Sequence, residues 1–495
     1  MTHVLAIDQG TTGTTCLVVA ADGTIAGRAY REITQHYPRP GWVEHDAVEI
    51  FERTISAARD AVKAAGVAPR AIGITNQRET VVVWERATGT PVGRAIVWQD
   101  RRTAERCREL ASRAPEISAK TGLVVDPYFS ATKLEWMLQD ASLARRARAG
   151  ELIAGTIDTW LIWRLTGGAV HATDPTNASR TLLYDIDALA WSEELCSLFG
   201  VPASMLPEVR PSSGSFGDTT PEFFGAPIPI LGVAGDQQAA LFGQGCWEAG
   251  AAKNTYGTGA FLLLNTGSKR PRGGEGILTT VACDRTGKPA YALEGAIFIA
   301  GAAVQWLRDG LGIIGSAAET EALAQSIPSN DGVYFVPALV GLGAPDWEPN
   351  ARGTIVGLTR GATRAHLVRA ALEAMTYATR DVLEVMRRSS GAGLDAWHNA
   401  PLRVDGGATA NNWLMQFQAD VLNAPVERPQ NVETTALGAA GLAGFAAGVW
   451  RSPEEFLQSR SFARFEPGDS ARANECHAGW RRAVRTALAW ARDRD

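Results

Sequence analysis

The segment Leu5–Val19, "LAIDQGTTGTTCLVV", decides the fold of this chain. Apolar residues at both of its ends predict two strands, and Gly10 and Gly13 supply the turn geometry between them, so the segment reads as a β-hairpin. A hairpin turn needs only two residues. The run "DQGTTGTT" is longer and carries many backbone N–H groups and hydroxyls, which are donors suited to phosphate. We therefore expect a phosphate-binding hairpin.

Length, charge and cysteine usage narrow the class of protein. The 495 residues suggest roughly two to four domains. A net charge of −5, with acidic and basic residues interspersed, argues against nucleic acid or an anionic membrane surface as partner and favours small molecules. The six cysteines are dispersed without a CxxC pair, and the first residues lack the features of a signal peptide. Both features predict a reducing, cytoplasmic location.

The Ala/Gly-rich segment 436–450, "ALGAAGLAGFAAGVW", is too short to span a bilayer, so we expect no integral membrane segment. Its small residues instead predict a helix that approaches another element closely. A second helix is predicted for residues 46–66, with Asp46 as its N-cap, Glu49 as the partner in a capping-box-like pair, and Gly66 at its end. Strands and helices alternate through the first half, which is typical of an α/β domain.

The second half repeats the opening hairpin. Residues 252–265, "AKNTYGTGAFLLLN", again place a Gly/Thr turn between extended segments. Two such hairpins suggest a duplicated α/β domain with a boundary near residues 245–252. A ligand that carries several phosphates could then lie between the halves.

Several common catalytic motifs are missing from the sequence. There is no GxxxxGK[ST] loop, no GxGxxG after a strand, no HExxH or histidine cluster, and no GxSxG. Carboxylates and backbone donors remain, and these suit phosphoryl transfer, which needs positioning, Mg²⁺ and charge stabilisation more than a covalent nucleophile.

Three groups of residues are candidates for that chemistry, each with an ordinary alternative. Asp8, at the end of the first strand, could hold Mg²⁺ through waters or simply form a turn. Asp236, followed by Gln237, lies between an apolar strand and a helix, where a carboxylate acts as a general base or as a helix N-cap. Arg78 and Glu79 end another strand and could bind a ligand or form a surface ion pair.

A series of motifs follows one order along the chain: "AIDQGTTGTTCLVV", "TNQRET", "VWQDRR", "DPYFSATK", "GDQQAALFGQG", "KNTYGTG" and "LRVDGGATANN". Together these motifs resemble the FGGY family of carbohydrate kinases. The resemblance runs from Leu5 to about Val449, and "DPYFSATK" and "GDQQAALFGQ" favour the members that phosphorylate glycerol.

The resemblance implies the fold shared by actin, Hsp70 and the sugar kinases, with two duplicated ribonuclease H-like domains around a central cleft. Residues 1–247 would form the N-terminal domain, which binds the polyol and phosphate and carries the catalytic aspartate. Residues 248–495 would form the C-terminal, nucleotide-binding domain. The resemblance also implies a homodimer or homotetramer.

By the same likeness, the polyol glycerol lies against a set of side chains on the first domain. Asp236 accepts the proton of the terminal hydroxyl as that hydroxyl attacks the γ-phosphate of ATP. A small triol must be selected through hydroxyl contacts, because poorer ligands would leave polar partners unsatisfied. The implied substrate-binding residues are Arg78, Glu79, Trp98, Tyr128, Asp236 and Gln237.

The likeness also assigns the ATP or ADP contacts and places Asp8 near Mg²⁺. Well-known bacterial members read "DQGTTSSR" where this chain has "DQGTTGTT", so Thr15 replaces an arginine that would face phosphate, with the loss of a charge-assisted contact. The implied nucleotide-binding residues are Thr11, Thr12, Gly13, Thr15, Thr258, Gly301, Gln305, Gly407 and Asn411.

Two alternative functions remain at this point. Another member of the family could phosphorylate a pentulose or a different polyol. A nucleotide-driven binding protein of the Hsp70 or actin type would hydrolyse ATP slowly without a small substrate, but it would need no polyol pocket.

Overall fold

The structure is a computed structural model that describes residues 2–271, 273–274, 276–390, 400–458 and 460–493. Strands and helices alternate along the chain around two main sheets, which confirms the expected α/β class.

The first main sheet has five strands in the order β13-β5-β1-β2-β3. Its strands are β1 (His3–Gln9), β2 (Gly13–Ala20), β3 (Ile25–Glu32), β5 (Ala71–Asn76) and β13 (Ile230–Gly235). Strands β1 and β2 are antiparallel and form the predicted hairpin, while β5 and β13 run parallel to β1. Residues of β1 alternate between two buried clusters, with Leu5 and Ile7 in one and Val4 and Ala6 in the other. Both faces of this sheet are therefore covered.

The second main sheet has seven strands in the order β16-β17-β15-β14-β20-β21-β22. Its strands are β14 (Ala252–Tyr256), β15 (Ala260–Gly267), β16 (Leu278–Cys283), β17 (Pro289–Ile297), β20 (Leu402–Asp405), β21 (Val426–Pro429) and β22 (Phe462–Phe465). Strands β14 and β15 form an antiparallel hairpin, β17 pairs antiparallel with β15, and β20 and β21 run parallel to β14. This arrangement repeats that of β1, β2, β3, β5 and β13, so the expected duplication is confirmed.

A four-stranded sheet of order β4-β7-β6-β8 and three two-stranded sheets complete the strands of the described residues. The four-stranded sheet contains β4 (Glu44–His45), β6 (Val81–Glu85), β7 (Ala95–Ile96) and β8 (Leu152–Thr156). The two-stranded sheets pair β9 (Ala172–Thr173) with β12 (Glu208–Val209), β10 (Tyr184–Asp185) with β11 (Ala190–Trp191), and β18 (Tyr334–Val336) with β19 (Thr354–Val356).

Helices connect and cover these sheets. In the described parts of the chain, none of them is both long enough and apolar enough to cross a membrane. The helices are α1 (Ala47–Ala65), α2 (Ala104–Glu109), α3 (Ala114–Thr121), α4 (Ala131–Met137), α5 (Ala141–Arg148), α6 (Ile157–Leu165), α7 (Pro175–Ala178), α8 (Glu193–Leu198), α9 (Pro221–Phe224), α10 (Asp236–Gly243), α11 (Gly301–Gln305), α12 (Glu319–Gln325), α13 (Arg364–Ser389), α14 (Asn412–Leu422), α15 (Thr434–Ala446), α16 (Pro453–Gln458) and α17 (Ser470–Arg492).

Helix α1 begins and ends where the sequence predicts. The Asp46 side chain accepts hydrogen bonds from two N–H groups of the first turn, and Gly66 takes the left-handed conformation at the C-terminus. The expected capping-box role of Glu49 is wrong. Its carboxylate instead accepts hydrogen bonds from the N–H and hydroxyl groups of Thr34, because the segment that follows β3 and carries Thr34 lies beside this turn.

The Ala/Gly-rich segment forms α15, and its expected close approach is confirmed. Although α15 lies late in the chain, it packs on β1, β5 and β13 of the first sheet and beside α10. A Cβ atom on Gly438 would lie 1.8 Å from the Ala239 carbonyl oxygen, and one on Gly73 would lie 2.1 Å from the Ala439 carbonyl oxygen. Only glycine at these contacts lets the backbones approach so closely.

Candidate active site

Three parallel strands of the first sheet end in register at one edge. Gln9 of β1 is paired with Asn76 of β5, which is paired with Gly235 of β13. Ligand groups in α/β sheets collect at such carboxyl ends. The candidate residues at this edge are Asp8, Arg78, Glu79 and Asp236.

Asp236 and Arg78 meet at this edge. Arg78 Nε lies 3.2 Å from Asp236 Oδ1, and the Arg78 side chain is 2% exposed while that of Asp236 is 32% exposed. Asp236 is the first residue of α10, whose N-cap is Gly235. The helix-cap interpretation of Asp236 and the surface-ion-pair interpretation of Arg78 are therefore wrong. The pair presents an accessible carboxylate held by a buried guanidinium.

Arg78 belongs to a larger buried ion-pair network. Its Nη1 and Nη2 donate to the two carboxylate oxygens of Glu294, at 2.6 and 3.0 Å. Arg180 donates from Nε to Glu79 at 2.7 Å and from Nη2 to Glu294 at 3.0 Å. Burial opposes charge on Glu294, but Arg180 and Arg78 outweigh it and lower the pKa of this carboxyl to about 2. Burial raises the pKa of Glu79 more than Arg78 and Arg180 lower it.

The backbone at Glu79 has an unusual conformation. Its φ angle is +62°, in the left-handed region that a glutamate rarely adopts. Its carbonyl oxygen accepts a 2.9 Å hydrogen bond from the Ser130 hydroxyl, which helps to hold this conformation. Backbone strain of this kind concentrates at functional sites, where it aims a side chain that regular structure would point elsewhere.

Two aromatic rings form an apolar side of the site. The Trp98 and Tyr128 rings meet edge to face with centroids 5.4 Å apart. The Trp98 indole also donates from Nε1 to Thr11 Oγ1 at 2.8 Å. The Tyr128 carbonyl oxygen accepts from Lys133 Nζ at 3.1 Å. The structure thus brings both aromatic candidates together and joins them to the opening hairpin.

Gln237 is oriented by the second half of the chain. Lys253 of β14 donates from Nζ to Gln237 Oε1 and to Thr255 Oγ1. Lys253 is fully buried, and burial lowers its pKa to about 8 although the nearby Asp405 and Asp236 oppose that shift. A cation of the second half therefore lies beside the candidate base.

Hydrogen bonds within the turn and from Gln35 hold the turn between β1 and β2. The Gly10 N–H donates to the Gly13 carbonyl at 2.9 Å, and the Thr11 carbonyl accepts from Gln35 Nε2 at 2.8 Å. A Cβ atom on Gly13 would lie 2.5 Å from the Arg31 carbonyl oxygen, so glycine is needed there. Thr12 is exposed at the tip.

The second hairpin brings together three other nucleotide candidates. The carbonyl of the exposed Thr258 accepts from the N–H groups of Ala300 and Ala302 at 2.9 and 3.0 Å. The Gly301 N–H donates to the Gly257 carbonyl at 3.0 Å, and Gln305 is exposed at the end of α11. Thr258, Gly301 and Gln305 therefore share one surface of the second half.

Gly407 and Asn411 lie in the connection from β20 to α14. Asn411 caps α14 by accepting from the Leu414 N–H at 2.9 Å and donates to Thr320 Oγ1 at 3.3 Å. A Cβ on Gly407 would meet open space. Because β14 and β20 are parallel neighbours, this connection lies next to the second hairpin. Across the described residues, no hydrogen bond or ion pair joins either loop to Thr11, Thr12, Gly13 or Thr15.

Asp8 lies within β1 directly opposite Thr15, so the turn interpretation is wrong. Burial raises its pKa to about 8, and the neighbouring carboxylates of Asp236 and Glu433 add to the rise. No described cation forms an ion pair with Asp8, and no three described His, Cys, Asp or Glu side chains are placed to hold a metal directly. The carboxylate oxygens of Asp8 fit a hard cation that keeps much of its water shell, as Mg²⁺ does.

The sequence motifs did not identify three charged residues of the site: Glu294, Arg180 and Lys253. A signal was present for Glu294, which interrupts the apolar run "YALEGAIF", because a charge inside a buried strand requires a partner. The sequence pattern does not reveal which residue is that partner.

Sequence profiles of one family match most of this chain. The profile described as "FGGY family of carbohydrate kinases, N-terminal domain" matches residues 3–243, and the corresponding C-terminal profile matches residues 252–447. The glycerol kinase of Carboxydothermus hydrogenoformans is 56% identical over 497 residues, which cover 99% of this chain and 98% of that protein.

Solved structures resemble the whole chain. Plasmodium falciparum glycerol kinase, solved with ADP, has a TM-score of 0.93 at 38% identity and covers 99% of this chain and 98% of that one. The ligand-bound xylulose kinase of Lactobacillus acidophilus has a TM-score of 0.88 at 20% identity, covers 99% of each chain and supports the fold alone. The chain belongs to the FGGY family of carbohydrate kinases.

Proposed function

We propose that this protein transfers the γ-phosphoryl group of ATP to glycerol, forming sn-glycerol 3-phosphate and ADP. The observation that carries the proposal is the partly exposed Asp236 carboxylate, 3.2 Å from the buried Arg78 guanidinium at the edge where three parallel strands end. Full-length similarity to a glycerol kinase selects glycerol over a sugar as acceptor.

Asp236 serves as the general base. It accepts the proton of a terminal hydroxyl of glycerol as that oxygen bonds to the γ-phosphorus and the bond from phosphorus to the bridging oxygen of ADP breaks. Arg78 Nε faces Asp236 Oδ1, and the Gln237 N–H donates to the same oxygen at 2.7 Å. Both contacts fix the carboxylate before substrate arrives, which reduces the reorganisation needed during reaction.

Arg78, Glu79 and Gln237 bind the hydroxyls of glycerol, while Trp98 and Tyr128 cover its carbon chain. The polar groups are buried or half-buried, and an acceptor that lacks a hydroxyl would leave one of them unpaired. Discrimination by unpaired buried groups is stronger than discrimination by size.

The nucleotide lies between the two hairpins, with its phosphates at the first and its nucleoside at the second half. Asp8 would hold Mg²⁺ through waters, and the ion would supply positive charge to the phosphate oxygens. Thr15 lies opposite Asp8 and offers a hydroxyl where the family pattern "DQGTTSSR" has an arginine. The nucleotide contacts are Thr11, Thr12, Gly13, Thr15, Thr258, Gly301, Gln305, Gly407 and Asn411.

The two duplicated halves of the chain carry different substrate contacts. Residues 1–247 carry the polyol contacts and the base, and residues 248–495 carry most of the nucleoside contacts.

We also propose that the protein forms a homodimer or homotetramer, for which sedimentation is the test. We propose a cytoplasmic location as well, where ATP is available as the donor.

The test is ADP production by the purified protein with each acceptor of a panel. Glycerol should raise the rate far above that without acceptor, and the product should be sn-glycerol 3-phosphate by mass and by stereospecific enzymatic assay. A higher kcat/KM with a pentulose would move the assignment to another FGGY kinase. ATP turnover that is independent of every acceptor would favour an Hsp70- or actin-type protein.

A further inference from the structure

Glu294 reaches the polyol site from the opposite half of the molecule. It lies in β17 of the second main sheet, opposite Leu263 of β15. Its carboxylate nevertheless contacts two arginines of the first half, Arg78 and Arg180. All three side chains are at most 2% exposed. An ion-pair network so deeply buried is shielded from solvent, so its charges need one another as partners.

The hydrogen bonds of Arg78 show what Glu294 does to it. A guanidinium has five N–H donors in one plane. Two of them point to the Glu294 oxygens, and a third points to Gln238 Oε1 at 3.2 Å. The Nε–H and one Nη2–H remain, and Nε faces the Asp236 carboxylate. Bidentate pairing with Glu294 therefore sets the rotation of the guanidinium and directs its remaining edge toward the reacting end of the site.

Glu294 also acts on Glu79 through Arg180. Arg180 is held by two carboxylates, Glu79 at Nε and Glu294 at Nη2, and its Nη1 has no hydrogen-bond partner among the described residues. Without Glu294, the guanidinium of Arg180 would keep one anionic partner instead of two. Both candidate polyol-binding residues, Arg78 and Glu79, thus take their orientation from the same carboxylate.

We propose that Glu294 is a positioning residue of the polyol site, which orients Arg78 directly and Glu79 through Arg180 so that both face the hydroxyls of the acceptor. The inference rests on the proposed function and extends it, because the polyol site is then incomplete without the second half. Glu294 itself does not touch the acceptor. Its role is to make the selection of the triol depend on contact between the two halves.

The test is the Glu294→Gln variant, which keeps the size of the side chain but places an N–H₂ group against the arginines. We expect its KM for glycerol to rise roughly ten- to a hundred-fold, because two substrate contacts lose their orientation. Its KM for ATP should stay within about two-fold of the parent value. Its preference for glycerol over 1,2-propanediol, measured as the ratio of kcat/KM values, should fall at least about ten-fold.

The matched control is Glu373→Gln. Glu373 is also a buried carboxylate of the second half and accepts from Arg369 Nε at 2.8 Å and from Asn330 Nδ2 at 2.7 Å, without any contact to the polyol-binding residues. A merely structural role of Glu294 would lower stability as in this control and leave the glycerol preference unchanged. The control should keep both the parent KM for glycerol and the parent preference.

Each outcome decides the inference. A folded Glu294→Gln protein with parental KM and preference overturns it, as does an equal change in the control. If the Gln variant lacks a cooperative melting transition, Glu294→Asp, which keeps the charge but shortens the reach, decides instead through the same rise in KM and loss of preference. If the parent protein shows no glycerol-dependent ADP production, the proposed function fails, and the inference fails with it.

Discussion

The Trp98 indole donates a 2.8 Å hydrogen bond from Nε1 to the hydroxyl of Thr11. Trp98 is proposed to cover the carbon chain of the acceptor, and Thr11 belongs to the hairpin proposed to bind phosphate. One hydrogen bond thus connects the two substrate sites through side chains that lie 87 positions apart in the chain.

Trp98→Phe should raise the KM for ATP roughly two- to ten-fold, because a neutral hydrogen bond contributes about 0.5–1.5 kcal/mol. The ring remains, so the KM for glycerol should change less than that for ATP. Steady-state kinetics with each substrate varied in turn measure both values. Trp490→Phe, at a ring that is 62% exposed, is the control and should match the parent. A variant whose glycerol KM alone changes would disprove the connection to the hairpin.

Asp236→Asn should lower kcat roughly 10²- to 10⁴-fold, the usual contribution of a general base. ATP binding, measured by calorimetry, should be nearly unchanged, since Asp236 is proposed to contact the acceptor rather than the nucleoside. Asp309→Asn, at an exposed carboxylate that forms an ion pair with its neighbour Arg308, is the control. Near-parental turnover of the Asp236 variant would rule out its assignment as the base.

Asp8→Asn should shift the Mg²⁺ activation curve to higher concentration by roughly ten-fold or more, as loss of an outer ligand typically does. The curve is measured as ADP production against free Mg²⁺, with EDTA abolishing activity. Asp22→Asn, in the exposed turn after the same hairpin where Asp22 accepts hydrogen bonds from Thr24, should leave the curve in place. An unshifted curve for Asp8→Asn would remove Asp8 from the Mg²⁺ site.

Gly438→Ala should destabilise the protein by about 1–3 kcal/mol, the usual cost of overpacking. The new Cβ would lie 1.8 Å from the Ala239 carbonyl oxygen, so α15 and α10 would have to move apart. Calorimetric melting should show a fall of several degrees. Gly93→Ala is the control, since a Cβ there meets nothing within 4 Å, and its melting temperature should equal that of the parent.

The buried Lys133 predicts a dependence of stability on pH. Burial lowers its pKa from 10.5 to about 7, although Glu79, Asp100 and Asp126 oppose the shift. Between these values the unfolded chain binds the proton more fully than the folded protein, so stability rises with pH by about 1.4 kcal/mol per unit. Compared with Lys133→Met, the parent should therefore gain melting temperature between roughly pH 7.5 and 9. A constant difference between the two proteins would contradict the shift.

Local patterns account for the predictions that the structure confirms. The hairpins at residues 5–19 and 252–265 have apolar residues on both sides of Gly/Thr turns, and short-range hydrogen bonding follows from that pattern. The close approach of α15 was predictable from its small residues. The hydrogen bonds that the Glu49 carboxylate actually makes were not predictable, because it accepts from Thr34, a residue beyond the end of β3 whose position depends on tertiary packing.

The sequence by itself determined the duplicated α/β architecture, the donor-rich turns and the position of Asp236 after a strand, since each depends on residues close together in the chain. Only the tertiary structure decided the surroundings of these residues. Arg78 pairs with Glu294, 216 positions away, and Arg180 joins Glu294 to Glu79. Such pairing arises when two separate sheets place buried charges face to face, and each charge must then find a partner in a medium that water does not reach.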